Sequence, residues 1–301
     1  VNVPRAMAQV RARTYAHYAW PAPLGRLYER NGLTLALALA AGLALFLVLA
    51  AALHGGLGMA PGANFYAVFP HQLLVSLFAP VFAFAVLALA LGVRGFLRDV
   101  RPATSGQPAS WPAAGEATGH ALALTYLGGG HGEGCHNDDD AWTLARRRCH
   151  HLTFYGFLLC FAATSVATLM HYALNLPAPY PLWSLPKLLG VTGGVALMAG
   201  TAGLGWLHLR RHPLHGDRAQ RPMDLGFIAL LFLTAASGLG LWLAGGSAAM
   251  PLWLCAHLGA VMALFLTLPY GKFAHGLYRS AALLRHAVEK RQPSPIGLGA
   301  D

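Results

Sequence analysis

The chain has 301 residues, 56% of them hydrophobic and only 11% charged, and its mean hydropathy is +0.49. A soluble domain carries roughly 25% charged residues, so this composition excludes an ordinary soluble fold and predicts a membrane protein. The net charge of +10 would suggest nucleic acid in a soluble protein. Here the basic residues fall between apolar runs, where they act as topology signals, and a nucleic-acid partner is set aside in favour of membrane lipid.

In chain order, residues 1–31 are polar and basic, with helical character around residues 6–18, and read as the tail of an upstream domain. Six apolar segments follow, at about 32–53, 72–93, 151–174, 185–209, 225–244 and 252–269. Each approaches or exceeds the ~20 residues that a membrane-spanning helix needs. Twenty of the 21 Lys and Arg residues lie at the alternate ends that share a side with both termini, and only Lys187 lies opposite. The positive-inside rule then places both termini in the cytoplasm. The predicted architecture is all-α, a polytopic membrane protein with six transmembrane helices. Residues 32–93 form a hairpin, 94–149 a cytoplasmic loop, 150–291 a four-helix bundle and 292–301 a cytoplasmic tail.

Within the long loop, residues 101–119 are rich in Pro, Ala, Ser and Gly and read as a flexible linker. Residues 127–140 gather Gly, His131, Cys135, His136 and Asp138–Asp140. No phosphate-cradle pattern is present, and a docking surface or a metal site both stay open. The four cysteines show no CxxC spacing, and Cys160 and Cys255 fall in apolar runs as small core residues.

Histidines carry the chemistry. His257 and His275 stand 18 residues apart across an apolar stretch. On one continuous helix that is five whole turns, which puts both imidazoles on one face, ~27 Å apart along the axis. The third segment opens with His150-His151 and closes with His171. Twenty-one helical steps leave His150 and His171 within ~60° of one face, ~31 Å apart, whereas His151 points elsewhere. Packed antiparallel, His150 is expected to meet His275 near the cytoplasm and His171 to meet His257 near the outside. Two facing pairs at two depths suit two bis-histidine haems b, so His150, His171, His257 and His275 are the predicted haem-iron ligands. Of the other histidines, His54 and His71 flank an outward loop and need no special role, and His208 is open to a ligand role, although Arg210 and Arg211 beside it suit headgroup anchoring. The six glycines of the fourth segment (Gly190, Gly193, Gly194, Gly200, Gly203, Gly205) allow close approach of helices or of a macrocycle. The cytoplasmic arginine clusters suit haem propionates.

The stretch His257…Leu-Pro-Tyr-Gly-Lys-Phe-Ala-His275 resembles the last helix of the respiratory nitrate reductase gamma subunit, a dihaem cytochrome b. There the same spacing supplies one ligand to each haem. The likeness covers residues 149–291; it departs in the third segment, because the gamma subunit's other two ligands lie closer together than His150 and His171. A likeness over the whole chain is carried by Asn2-Val-Pro-Arg-Ala, Asn64-Phe-Tyr-Ala-Val-Phe-Pro-His71, Leu127-Gly-Gly-Gly, the third segment from His150 to Thr168, and Arg211-His-Pro-Leu-His-Gly-Asp217. These resemble the tricarballylate- (citrate-) utilisation protein B family. The resemblance implies a subunit of a bacterial inner (cytoplasmic) membrane that passes electrons from a flavin-dependent tricarballylate dehydrogenase to the quinone pool. It also implies [4Fe–4S] clusters in an N-terminal domain preceding Val1. Two rivals stay open: a haem-free membrane anchor, and a transporter relaying protons through histidines. The second is disfavoured because the segments hold no Asp or Glu apart from Asp224 at a boundary.

Overall fold

The computed structural model describes residues 3–58, 64–100, 110–127, 143–211 and 217–292. Among them all regular structure is helical: α1 (Val3–His17), α2 (Ala22–Leu27), α3 (Asn31–His54), α4 (Phe65–Val68), α5 (His71–Asp99), α6 (Trp111–Ala123), α7 (Ala145–Ala173), α8 (Leu185–Arg210), α9 (Arg221–Leu243), α10 (Met250–Thr267) and α11 (Ala274–Glu289). Six helices, α3, α5, α7, α8, α9 and α10, are long and apolar enough to cross a membrane. They run alternately between a basal end, where α1, α6 and α11 gather, and a distal end, where α4 lies.

Small residues set the spacing of these helices. Where both partners are apolar, lipid tails compete equally for contact, so close backbone approach must supply the attraction. The tightest pair is α7 with α8. A Cβ added at Gly156 would stand 2.5 Å from the backbone nitrogen of Leu197, one at Gly200 2.5 Å from that of Thr153, and one at Gly203 2.5 Å from Cys149 Sγ. These glycines therefore seat one helix on another, which is the first of the two uses open from sequence. A second seam joins α3 to α10, where a Cβ on Gly42 would meet the Gly259 carbonyl oxygen at 2.6 Å. Leu35, Leu197, Leu230, Leu231, Ala263 and Leu264 fill the mid-bundle core from four helices.

The chain order α7–α8–α9–α10 is also a spatial order of neighbours, with α3 on the outer side of α10. Spans one and two, expected as a separate hairpin, each pack more closely on α10 than on one another. Single residues link them, as in the stacked rings of Phe46 and Phe78 with centroids 5.8 Å apart.

Two sequence expectations are corrected here. Residues 257–275 do not form one helix: α10 stops at Thr267, residues 268–273 turn, and α11 begins at Ala274. Pro269 lacks an N–H and its ring crowds the carbonyl of Phe265, so the α-helical ladder fails there. The amides of Tyr270 and Gly271 turn back to the Thr267 carbonyl instead, at 3.1 and 3.0 Å. Nor is the second half of residues 101–119 a linker. Ser110 caps α6 by accepting from the Ala113 amide, Pro112 occupies its first turn, and Ala113 and Ala117 bury against Ala287 and Val288 of α11. Residues 101–109 and the Gly/His/Asp stretch 128–140 lie outside the described residues, so its metal and docking readings do too.

The N-terminal segment, expected as a tail, is part of the basal end. Tyr15, Ala19 and Tyr28 bury with Met223, Tyr270, Ala274 and Tyr278, and the Tyr270 hydroxyl donates to the Trp20 carbonyl at 3.1 Å. Burial pushes the phenols of Tyr15, Tyr28, Tyr270 and Tyr278 up to about 12.

Candidate functional site

The basal end brings two of the four predicted ligands together. His150 projects from the second turn of α7, and His275 from the first turn of α11. Their rings stand 6.1 Å apart, centre to centre, at 84° to each other. The His275 Nδ1 donates to the Lys272 carbonyl, which leaves its Nε2 free, and burial holds this imidazole down to about 4, so it is neutral at physiological pH. The Nδ1 of His150 is buried without a hydrogen-bond partner. His151 behaves differently. Its Nδ1 bonds the Arg147 carbonyl at 3.0 Å and its ring lies parallel to Tyr155, away from His275.

This pair fits a single metal ion held between two imidazoles. Two metal–nitrogen bonds of ~2 Å, with ~1 Å from each nitrogen to its ring centre, require centres ~6 Å apart. Neutral rings with free nitrogens supply the lone pairs that such bonds need. Among the described residues no group of three or more His, Cys, Asp or Glu side chains is arranged to hold a bare metal ion. A haem brings four equatorial nitrogens of its own and asks the protein for axial ligands alone.

The distal end is arranged otherwise. His171 stacks on His71, with centroids 4.3 Å apart and planes at 28°. His71 reaches the hydroxyls of Tyr66 at 3.2 Å and Tyr172 at 2.9 Å, and the Nδ1 of His171 is buried without a partner. His257 belongs to a different neighbourhood. Its Nδ1 lies 3.1 Å from the Thr234 carbonyl and 3.3 Å from Ser237 Oγ, and its Cε1 lies 2.9 Å from where a Cβ on Gly238 would stand. No ring contact joins His171 to His257 among the described residues, so the expected outer pair is not juxtaposed. The break at Pro269 is one reason, since His257 faces α9 while His275 faces α7. A stacked pair at 4.3 Å is also too close for a metal between its rings.

Two side chains set aside from sequence acquire neighbours. His71 joins the distal cluster; the sequence signal was the pair of His–Tyr neighbours, Tyr66 with His71 and His171 with Tyr172, at segment ends sharing one side. His208 is not a headgroup anchor: it is buried, its Nδ1 3.8 Å from Oδ2 of the buried Asp224, whose other oxygen pairs with the Lys272 ammonium. Burial pushes the Lys272 amine down, and Asp224 offsets part of that shift. The adjacent Arg210 conceals this in the sequence, because two helical steps set it nearly opposite His208 on α8.

Fold and composition thus define an all-helical protein with six apolar helices, consistent with a multi-pass membrane protein that carries histidines at both ends of its helices. The chain belongs to the citrate utilization protein B family, whose model matches residues 26–296. It is 53% identical to citrate utilization protein B of Escherichia coli over 302 aligned residues, covering all of this chain and 79% of that protein. No solved structure matches.

Proposed function

We propose that this chain is a b-type cytochrome of the citrate/tricarballylate utilisation system, carrying electrons from a flavin-dependent dehydrogenase to membrane quinone. The observation that carries the reading is the His150–His275 pair, whose ring centres stand 6.1 Å apart at the end of an apolar bundle. Family membership supports the metabolic setting. When bound, haem supplies a one-electron carrier whose potential the axial ligands and their hydrogen bonds tune. The chain's own part is to hold two imidazoles in position. Gly200 and Gly156 seat α7 on α8, fixing His150, while the Pro269 turn and the Lys272 carbonyl orient His275. Tautomer control of this kind directs Nε2 toward the metal.

For a second haem, His257 and His171 remain the proposed ligands; as they stand they do not form a facing pair, so no role is derived through that group. The likeness to the nitrate reductase gamma subunit and the positive-inside asymmetry support electron entry at the basal, cytoplasmic end. The reading is tested by the reduced-minus-oxidised optical spectrum of the purified full chain. A b-type spectrum lost in His150→Ala and His275→Ala is expected; its absence from the wild type defeats the cytochrome assignment and leaves a haem-free membrane anchor.

A further inference from the structure

One turn beyond the basal histidine pair lies a cluster that the histidines do not use. Arg146 precedes His150 by four residues on α7 and so shares its face. Lys272 ends the turn that presents His275, Arg211 follows the last residue of α8, and His208 stands on α8's final turn. These come from three separate parts of the chain that packing brings together. A Cβ on Gly200 would stand 2.5 Å from the Thr153 nitrogen and one on Gly203 2.5 Å from Cys149 Sγ. The same antiparallel register sets Arg146 beside the last turn of α8, which carries His208 and leads into Arg211. Arg11 on α1 adds a further, exposed cation. Against them stands one carboxylate, the buried Asp224, already engaged by Lys272 and lying 3.8 Å from His208. Among the described residues neither Arg146 nor Arg211 has an ion-pair partner, and both are half-buried. His208 is only 6% exposed and its Nε2 has no hydrogen-bond partner.

A surplus of like charge at the edge of an apolar bundle is unfavourable unless an anion completes it. Guanidinium forks match a carboxylate with two parallel hydrogen bonds, and a buried imidazole nitrogen can add a third. We infer that Arg146, Arg211 and His208 form a carboxylate-binding site at the basal end, with Lys272 and Asp224 setting its local field. Two sources supply that chemistry: a propionate of a porphyrin held between His150 and His275, or a free carboxylate from solution. The porphyrin source rests on the axial-ligand reading of those two histidines and deepens it. Arg146 lies one helical turn from His150, and Lys272, which shares Asp224 with His208, lies three residues before His275, so these residues would hold a carboxylate of a group bound between the two rings.

The test compares binding of iron protoporphyrin IX and of its dimethyl ester, whose propionates are uncharged, to the full chain purified without added haem. Melting temperature in citrate is measured alongside. The wild type is expected to prefer the free acid at least about tenfold, the effect of one charge-assisted hydrogen bond. Arg146→Gln/Arg211→Gln is expected to bring the two porphyrins within about twofold. Arg146→Lys/Arg211→Lys, which keeps the charge and controls for folding, is expected to retain an intermediate preference. Equal binding of acid and ester by the wild type, or an unchanged preference in the Gln variant, overturns the site while leaving the histidine reading intact. If neither porphyrin binds yet citrate raises the melting temperature of the wild type and not of the Gln variant, the site stands with a free carboxylate and the haem reading fails. No response to any of the three defeats both.

Discussion

The two ends of the bundle contain the same ingredients, imidazoles at helix termini, arranged to opposite effect. At the basal end His150 and His275 face each other at 6.1 Å with perpendicular rings and free nitrogens. At the distal end His171 stacks on His71 at 4.3 Å, phenols occupy both nitrogens of His71, and His257 is turned to α9. Ring centres 6.1 Å apart match the span of two imidazoles on one metal ion; a pair stacked at 4.3 Å and satisfied by tyrosines does not. The number of histidines at a given depth is therefore a poor guide to ligand sites, because which neighbouring helix each ring meets decides the outcome.

Both ends depend on α7 being held at a fixed height against α8, and that seam is the easiest part to break. Gly200→Leu puts a side chain where a Cβ alone would stand 2.5 Å from the Thr153 nitrogen and 2.6 Å from its hydroxyl. Backbone cannot yield as a side-chain tip does, so the cost should lie at or above the ~3 kcal/mol upper range for overpacking. Both ends should be lost together, read as a fall in detergent-solubilised, monodisperse protein. Survival of the folded protein at wild-type yield would show that the α7–α8 seam is dispensable.

Next in size come the ligand substitutions. His275→Ala and His150→Ala should each remove the same haem, measured as haem per protein. His151→Ala, whose ring is bonded to its own helix, should leave the content unchanged. A loss with His151→Ala equal to that with His150→Ala would erase the distinction between the two faces of α7.

The distal end is sharpened by setting His71→Ala beside His257→Ala. If a second haem is present, His257→Ala should remove it, whereas His71→Ala should unstack His171 and shift that haem's midpoint potential without emptying the site. The reverse pattern would make His71 the ligand and His257 a packing residue of α9.

The smallest effect concerns the α6–α11 platform that covers the basal end. Hydrogen bonds from Arg291 and Lys290 hold the Glu116 carboxyl below the usual carboxylate range. A folded pKa below the unfolded one means its contribution is present above the ordinary carboxylate pKa and fades as pH falls through the lower, folded value. Glu116→Gln should therefore lower protease resistance of α6 at pH 7 slightly, with the difference closing in acid and in high salt. An unchanged difference across that pH range would remove Glu116 from the account.

Much of this was legible in the residues. The six apolar stretches each mark one of the six spanning helices, with ends that differ by up to seven residues, because burial in lipid demands long uninterrupted apolar runs whatever the tertiary packing. The choice of His150 over His151 followed from 3.6-residue periodicity, and the structure sets His150, not His151, against His275. The structure departs from the local pattern where the chain breaks its continuity. Pro269 and Gly271 lie in an apolar run whose pattern continues as one helix, yet the chain turns there. Ser110 and Pro112 carried a helix-start signal that was outweighed by the Gly and Pro around them. His71 and His208 carry no distinguishing local signal, because a solitary histidine at a helix end looks the same whether it meets water, a carboxylate or another imidazole.

By itself, then, the sequence determined the helical class, the number of apolar spans and the alternation of charge between their ends, since these follow from local composition against a single apolar solvent. Only the tertiary structure decided that spans one and two lie along α10, that His171 meets His71, and that Asp224 draws His208 and Lys272 into one cluster. Those outcomes depend on which small residues let two helices come close, and on where a turn redirects the chain. Both are relations between distant residues, which no local pattern encodes.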